Sequence, residues 1–163
     1  MISILPFRFI DVILIVDGGN IGLTMAMNQR NRDYFDKQVA WVLARLPQNI
    51  LHILKAVPLH VEDQPSKQLM RQLEIEDADE LCGYFFGLPF AGLPNLPPYF
   101  FSDEWQMPSN VTIFRRGIVA EARDEERKLS RTNLRREICI TILHELAHLH
   151  GMDEDEIAEI GYG

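Results

Sequence analysis

The chain has few cysteines, no long apolar run and no block of positive charge, and each absence removes a class of protein. Its only thiols, Cys82 and Cys139, stand far apart in 163 residues. Two cysteines so placed make neither a disulfide framework nor a cysteine-rich zinc site, and a reduced, cytoplasmic compartment is expected. No stretch approaches the roughly 18 apolar residues of a membrane span, so no membrane partner is expected. The apolar start is interrupted by Arg8 and Asp11, leaving residues 12–16 as the longest clean run there. A secretory segment needs about 7–15 such residues, so none is expected. Acidic residues number 24 against 16 Lys and Arg, a net charge of -8. Nucleic acid binding rests on a basic surface that displaces counterions from phosphates, and no nucleic acid partner is expected. Basic residues do crowd together at Arg115, Arg116, Arg123, Arg127, Lys128, Arg131, Arg135 and Arg136. Glu121, Asp124, Glu125, Glu126 and Glu137 interleave with them, which reads as a solvated surface of mixed charge.

What is present suits one soluble domain. Hydrophobic residues make up 47% of the chain and charged residues 25%, enough to bury a core without disulfides. Residues 1–24 read either as a strand and turn or as an extension ahead of a start at Met25 or Met27, and the extension is the reading adopted. The domain is then 25–163. Apolar positions Phe35, Val39, Val42, Leu43 and Leu46 recur at three- and four-residue steps, predicting a helix over 33–46 that Pro47 ends. Residues 56–61 and 82–88 read as strands, and 66–73 as a short helix with Ser66 as its cap. The β-branched and aromatic run Val111, Thr112, Ile113, Phe114 reads as another strand. The proline-rich stretch 89–109 reads as a long loop. Residues 131–150 form the strongest helix, apolar on nearly every face at its middle and therefore buried, with Gly151 as its terminator.

That buried helix carries His144-Glu145-Leu146-Ala147-His148. Residues four apart lie one above the other on a helix, so His144 and His148 can grip one ion. Glu145 is turned by about 100° and can act on water beside the ion without being a ligand. With five histidines in the chain, H-E-x-x-H would arise in about 1% of shuffled sequences, and the added Gly151 lowers this below about 0.1%. A plain core reading would need a buried Glu with no partner, which is costly. His52, His60 and His150 read as surface or packing residues.

Catalytic zinc takes three protein ligands and keeps a position open. Only 15 residues follow His148, too few for a distant second helix to supply the third. A sharp turn at Gly151 would instead bring back the residue ten after the first His, which is Glu154. Asp153 and Asp155 flank it and are the alternatives. Two histidines and a carboxylate suit Zn2+ and also admit Mn2+ or Fe2+.

Over residues 33–163 the chain resembles the small bacterial zincin-like metallopeptidases, sometimes called minimal zincins. The resemblance rests on the H-E-x-x-H-x-x-G motif, on Gly83-Tyr84-Phe85-Phe86-Gly87, on Val111-Thr112-Ile113-Phe114-Arg115, and on Gly151-Met152-Asp153-Glu154 ahead of a short last helix. It implies an α+β fold with three to four strands in a small mixed sheet, packed on the buried active-site helix and an N-terminal helix. It also implies a zinc metallopeptidase acting on a peptide or protein, with Glu145 as general base. By that resemblance Val111, Thr112, Ile113 and Phe114 are candidates for the strand that pairs with extended substrate, with an ordinary core strand as the equal alternative. Independently of it, Tyr84 and Tyr162 are the candidates to steady an oxyanion. Two rivals remain. A ribosome-associated endoribonuclease family carries H-G-x-x-H-x-x-G-x-D-H, but this chain has Glu145 in place of its Gly and Glu154 in place of its third His. The other is a metal-stabilised binding module without turnover.

Overall fold

The computed structural model describes residues 14–15, 27–87 and 109–162. The proline-rich stretch up to residue 108, and most of residues 1–24, lie outside the described residues.

Helix α1 runs Gln29–Leu43, with the Asn28 side chain accepting from the Asn31 N–H. It begins ahead of the apolar periodicity because its first turn is polar and held by that cap. Phe35, Gln38, Val39 and Val42 form its buried face. Pro47 does not end this helix; it opens a second, α2, Gln48–Ala56, which buries Leu51 and Leu54. Proline tolerates a helix start, where no intrahelical N–H partner is needed. Strand β2 is Leu59–Glu62, later than residues 56–61 because α2 claims Ala56. Helix α3, Lys67–Gln72, has the expected Ser66 cap. A single 3-10 turn, Ala78–Glu80, leads into β3, Gly83–Phe86. Strand β4, Asn110–Phe114, passes directly into α4, Arg115–Glu121. Helix α5 spans Arg131–Leu149 behind a Ser130 cap, and α6 spans Glu154–Glu159.

With β1, Leu14–Ile15, which falls within the segment read as an extension, the sheet among the described residues has four strands in the order β1-β2-β4-β3. β1, β2 and β4 run parallel, and β3 is antiparallel to β4. This is the α+β architecture expected, a small mixed sheet on a buried helix. One expectation fails here. Val111, Thr112, Ile113 and Phe114 pair with β2 on one side and with β3 on the other. A strand with both edges satisfied cannot accept an added strand, so these residues are not the substrate-pairing strand. Val111, Ile113 and Phe114 are core residues instead.

Helix α5 lies between the sheet and α1. Leu134, Ile138, Ile142, Leu146 and Leu149 meet Phe35, Val39 and Val42 from α1 and Leu59, Val61, Val111 and Ile113 from the sheet. From Glu137 to Leu149 no residue of α5 is exposed, which matches its near-continuous apolar middle. Among the described residues no helix is long and apolar enough to cross a membrane.

Arg115 departs from the solvated-surface reading, because it is 2% exposed. Its guanidinium donates to Asp36 of α1 at 2.7 and 3.0 Å, and to Asp63 beyond β2 at 3.0 Å. Arg32 joins the same Asp63 at 2.9 Å. The network ties α1 to the ends of β2 and β4, where interleaving in sequence gave no hint of burial. Removing one partner strands the others, which costs more than the pair contributes. Arg115→Ala is therefore expected to lower stability by about 2–4 kcal/mol, measured by urea unfolding. A loss within the scatter of surface substitutions would mean the network is incidental.

Candidate metal centre

The site is assembled where α5 ends. Gly151 sits at φ +82°, a conformation glycine adopts without strain. Its N–H reaches the His148 carbonyl at 2.9 Å, and the Met152 N–H reaches the Ala147 carbonyl at 3.2 Å. These two bonds make a Schellman closure and reverse the chain within a few residues. Asp153 then starts α6 with a reciprocal capping box: its carboxylate accepts from the Glu156 N–H at 2.9 Å, and Glu156 accepts from the Asp153 N–H at 3.0 Å. Ile157, fully buried, anchors the short helix.

This reversal brings Glu154 back over the two histidines. His144 Nε2 and His148 Nε2 stand 3.1 Å apart. The Glu154 carboxylate approaches them at 3.5 and 3.2 Å, one oxygen toward each ring. Among the described residues these three form the one group of metal-ligating side chains, all ligand atoms lying within 4.8 Å of one another. Asp153 is occupied by its cap, and Asp155 lies on the exposed face of α6 outside the group.

The donor chemistry can be read from the other nitrogens. His144 Nδ1 lies 2.8 Å from the Tyr162 carbonyl, and His148 Nδ1 lies 3.1 Å from the Met152 carbonyl. A carbonyl only accepts, so each Nδ1 carries a hydrogen, and in the neutral form of each ring it is Nε2 that offers a lone pair. Two lone pairs and a carboxylate facing one another repel unless a cation lies between them. Tetrahedral zinc with bonds of about 2.0–2.1 Å sets its ligand atoms about 3.3–3.4 Å apart, close to the spacings here. The donor set therefore fits zinc, and the two carbonyls fix the rings as outer partners of metal-binding histidines commonly do.

Glu145 faces elsewhere, against β3. It is buried, and a Cβ placed on Gly83 would come within 2.6 Å of its Oε1. Only glycine lets the strand lie this close. Burial pushes the Glu145 carboxyl up to about 8, a hydrogen bond from the Phe85 backbone pulls it down, and the charge of Glu154 raises it further. The bonds of an antiparallel ladder alternate. Phe114 N–H bonding to the Cys82 carbonyl at 2.8 Å sets their phase. Gly83 and Phe85 thus turn their backbone groups away from β4, toward Glu145 and the cleft.

The cleft has a volume of about 570 Å³ and is walled by Leu73, Ile75, Leu81, Tyr84, Phe85 and Met152 around His144, Glu145, His148 and Glu154. Tyr84 is thus at the site. Tyr162 contributes through its backbone carbonyl rather than as a phenol. His52 and His150 are exposed and His60 lies on β2, none of them in the cleft. Sequence reasoning missed Gly83, the Phe85 N–H and the carbonyls of Met152 and Tyr162. Backbone groups carry no residue-type signal, and only the glycine at the start of β3 offered a clue.

The profile of the family described as zincin-like metallopeptidase matches residues 54–163, about two thirds of the chain. The chain belongs to that family, which supports a metal-dependent, hydrolase-like function. A comparison with curated proteins gives no match.

The burial of Glu145 has a measurable consequence in the metal-free chain. An ordinary glutamate titrates near 4.5 and this one near 8. Between those values the folded chain holds a proton that the unfolded chain has released, so stability falls as pH rises through that window. Glu145→Gln removes the slope. In chelator-treated protein the variant is expected to match the parent near pH 4 and exceed it by about 2–4 kcal/mol at pH 8.5. Parallel urea-unfolding curves for both across this range would show that Glu145 is not buried as the neutral acid.

Proposed function

We propose that this chain is a zinc-dependent peptidase in which His144, His148 and Glu154 hold the ion and Glu145 is the general base. The observation that carries the reading is the convergence of two imidazole Nε2 atoms on one carboxylate, beside a buried glutamate in a cleft. Bound zinc supplies Lewis acidity, drawing electron density from a substrate carbonyl and making water nucleophilic near neutral pH. The side chains of α5 then divide the work. His144 and His148 are locked in orientation by the Tyr162 and Met152 carbonyls, so little ordering is left for binding. Glu145 accepts a proton from the attacking water and returns it to the departing amine nitrogen. A nearby positive charge favours its carboxylate form over the neutral acid set by burial.

Strand β3 replaces β4 as the element to which an extended peptide adds. Among the described residues β3 ends the sheet, and the backbone groups of Gly83 and Phe85 face the cleft. Leu73, Ile75, Leu81 and Met152 give that peptide an apolar wall, which favours an aliphatic or aromatic side chain beside the cleaved bond.

The parent is expected to bind about one equivalent of zinc. His144→Ala should abolish this, Glu154→Gln should weaken it about tenfold or more, and Asp155→Asn should leave it unchanged. If Asp155→Asn has the effect assigned to Glu154→Gln, the ligand set is wrong. Loaded parent is expected to cleave a reduced, unfolded protein, with Glu145→Gln retaining zinc but losing about 10²-fold in rate. Zinc binding without cleavage would leave a metal-stabilised module, and cleavage of RNA in place of protein would overturn the peptidase reading.

A further inference from the structure

A second surface, on the outer side of the α1–α5 pair, is built to receive carboxylates. Trp41 projects from α1 and is 36% exposed. The guanidinium carbons of Arg45 and Arg135 each lie 3.7 Å from its ring centroid. Two such groups cannot share one face at that distance, so they cover opposite faces and sandwich the indole. The stack is braced further. Arg135 Nε donates to Gln38 Oε1 at 2.9 Å, and Arg45 Nη1 donates to the Trp41 carbonyl at 3.1 Å. Arg131 stands one helical turn before Arg135, and Tyr34 is exposed two turns before Trp41 on α1.

The charge here runs against that of the chain. The protein carries -8 overall, yet no carboxylate pairs with Arg45, Arg131 or Arg135 among the described residues. Partial burial first, and then positive Arg131 and Arg45, lower the Arg135 pKa. Like charges held together with no counter-charge make a surface that gains when an anion arrives. Stacking on the indole keeps each guanidinium flat and fixed while leaving N–H groups at its outer edge. That geometry matches the two oxygens of a carboxylate. Trp and Arg are also the residue types that most often dominate protein interfaces.

We propose that Arg45 and Arg135, ordered around Trp41, with Arg131 one helical turn away, form a docking site for an acidic segment of a protein partner. A nucleic acid suits the site less well. Single strands bind basic grooves by stacking bases on open aromatic faces, and both faces of Trp41 are covered. The site lies nine residues up α5 from His144, about 14 Å along the helix, so its occupant can sit beside the cleft without filling it. Docking requires neither metal nor turnover.

The test is fluorescence anisotropy with labelled hexaglutamate and hexaglutamine peptides at about 50 mM salt, where surface charges are only partly screened. Hexaglutamate is expected to bind and hexaglutamine not to. Arg45→Glu/Arg135→Glu should weaken binding about tenfold or more. The control Arg30→Glu/Arg71→Glu, with the same change of net charge elsewhere, should not. Arg45→Lys/Arg135→Lys keeps the charge and loses the flat fork, and about a threefold loss is expected; it decides the matter should the reversal unfold the chain. Three results would overturn the proposal: no binding of hexaglutamate, equal weakening by the control reversal, or unchanged affinity in the lysine pair. Tighter binding of an oligothymidylate than of hexaglutamate would assign the surface to nucleic acid instead.

Discussion

The hydrogen bond from the Met152 N–H to the Ala147 carbonyl is the constraint on which the site depends. Without it α5 would run out into solvent and its two histidines would face nothing. With it the chain doubles back. The Met152 carbonyl accepts a hydrogen bond from His148 Nδ1, the Asp153 cap starts α6, and Glu154 comes to rest over both rings. Beyond α6 the chain then delivers the Tyr162 carbonyl to His144. One backbone reversal therefore orients His148 and brings the Glu154 carboxylate to both rings. It needs a residue at φ +82°, so the identity of residue 151 reaches the chemistry through geometry rather than through any side chain.

Much of this was legible in the sequence, for physical reasons. A helix that is apolar on nearly every side must be buried, and His144, Glu145 and His148 within it could not be ordinary surface residues. Their spacing put two rings on one face. The glycine marked the reversal, and the reversal limited the third ligand to a few carboxylates. Choosing among those was beyond the pattern, since Asp153, Glu154 and Asp155 are all acidic. In the structure Asp153 forms the capping box and Glu154 is the carboxylate grouped with the two histidines, while Asp155 is not.

The failures share a different cause. Strand β4 was assigned to the substrate by resemblance alone, and pattern says nothing about which strand ends a sheet. Strand order is a long-range property, decided by the parallel pairing of β2 with β4 across α3 and β3. Helix α2 was hidden because Pro47 reads equally as a stop and as a start. Arg115 was hidden because one arginine among many in a mixed-charge stretch looks solvated, and its partners Asp36 and Asp63 lie some fifty to eighty residues away.

That same basic stretch shows how a uniform sequence texture is divided by the fold. Arg115, at the joint of β4 and α4, is drawn inward because two carboxylates from other elements converge there. Arg135, on the second turn of α5, meets α1 where it offers Trp41 and Gln38. The first arginine is neutralised and becomes structural. Arg135 is held in place by an indole and an amide, neither of which removes its charge. An ordered charge left unneutralised costs stability through repulsion, and a surface salt bridge in its place would be worth only about 0–1 kcal/mol. Stability alone thus gives little reason either to keep or to remove such a cluster, whereas the braced, outward-facing geometry is what anion recognition requires.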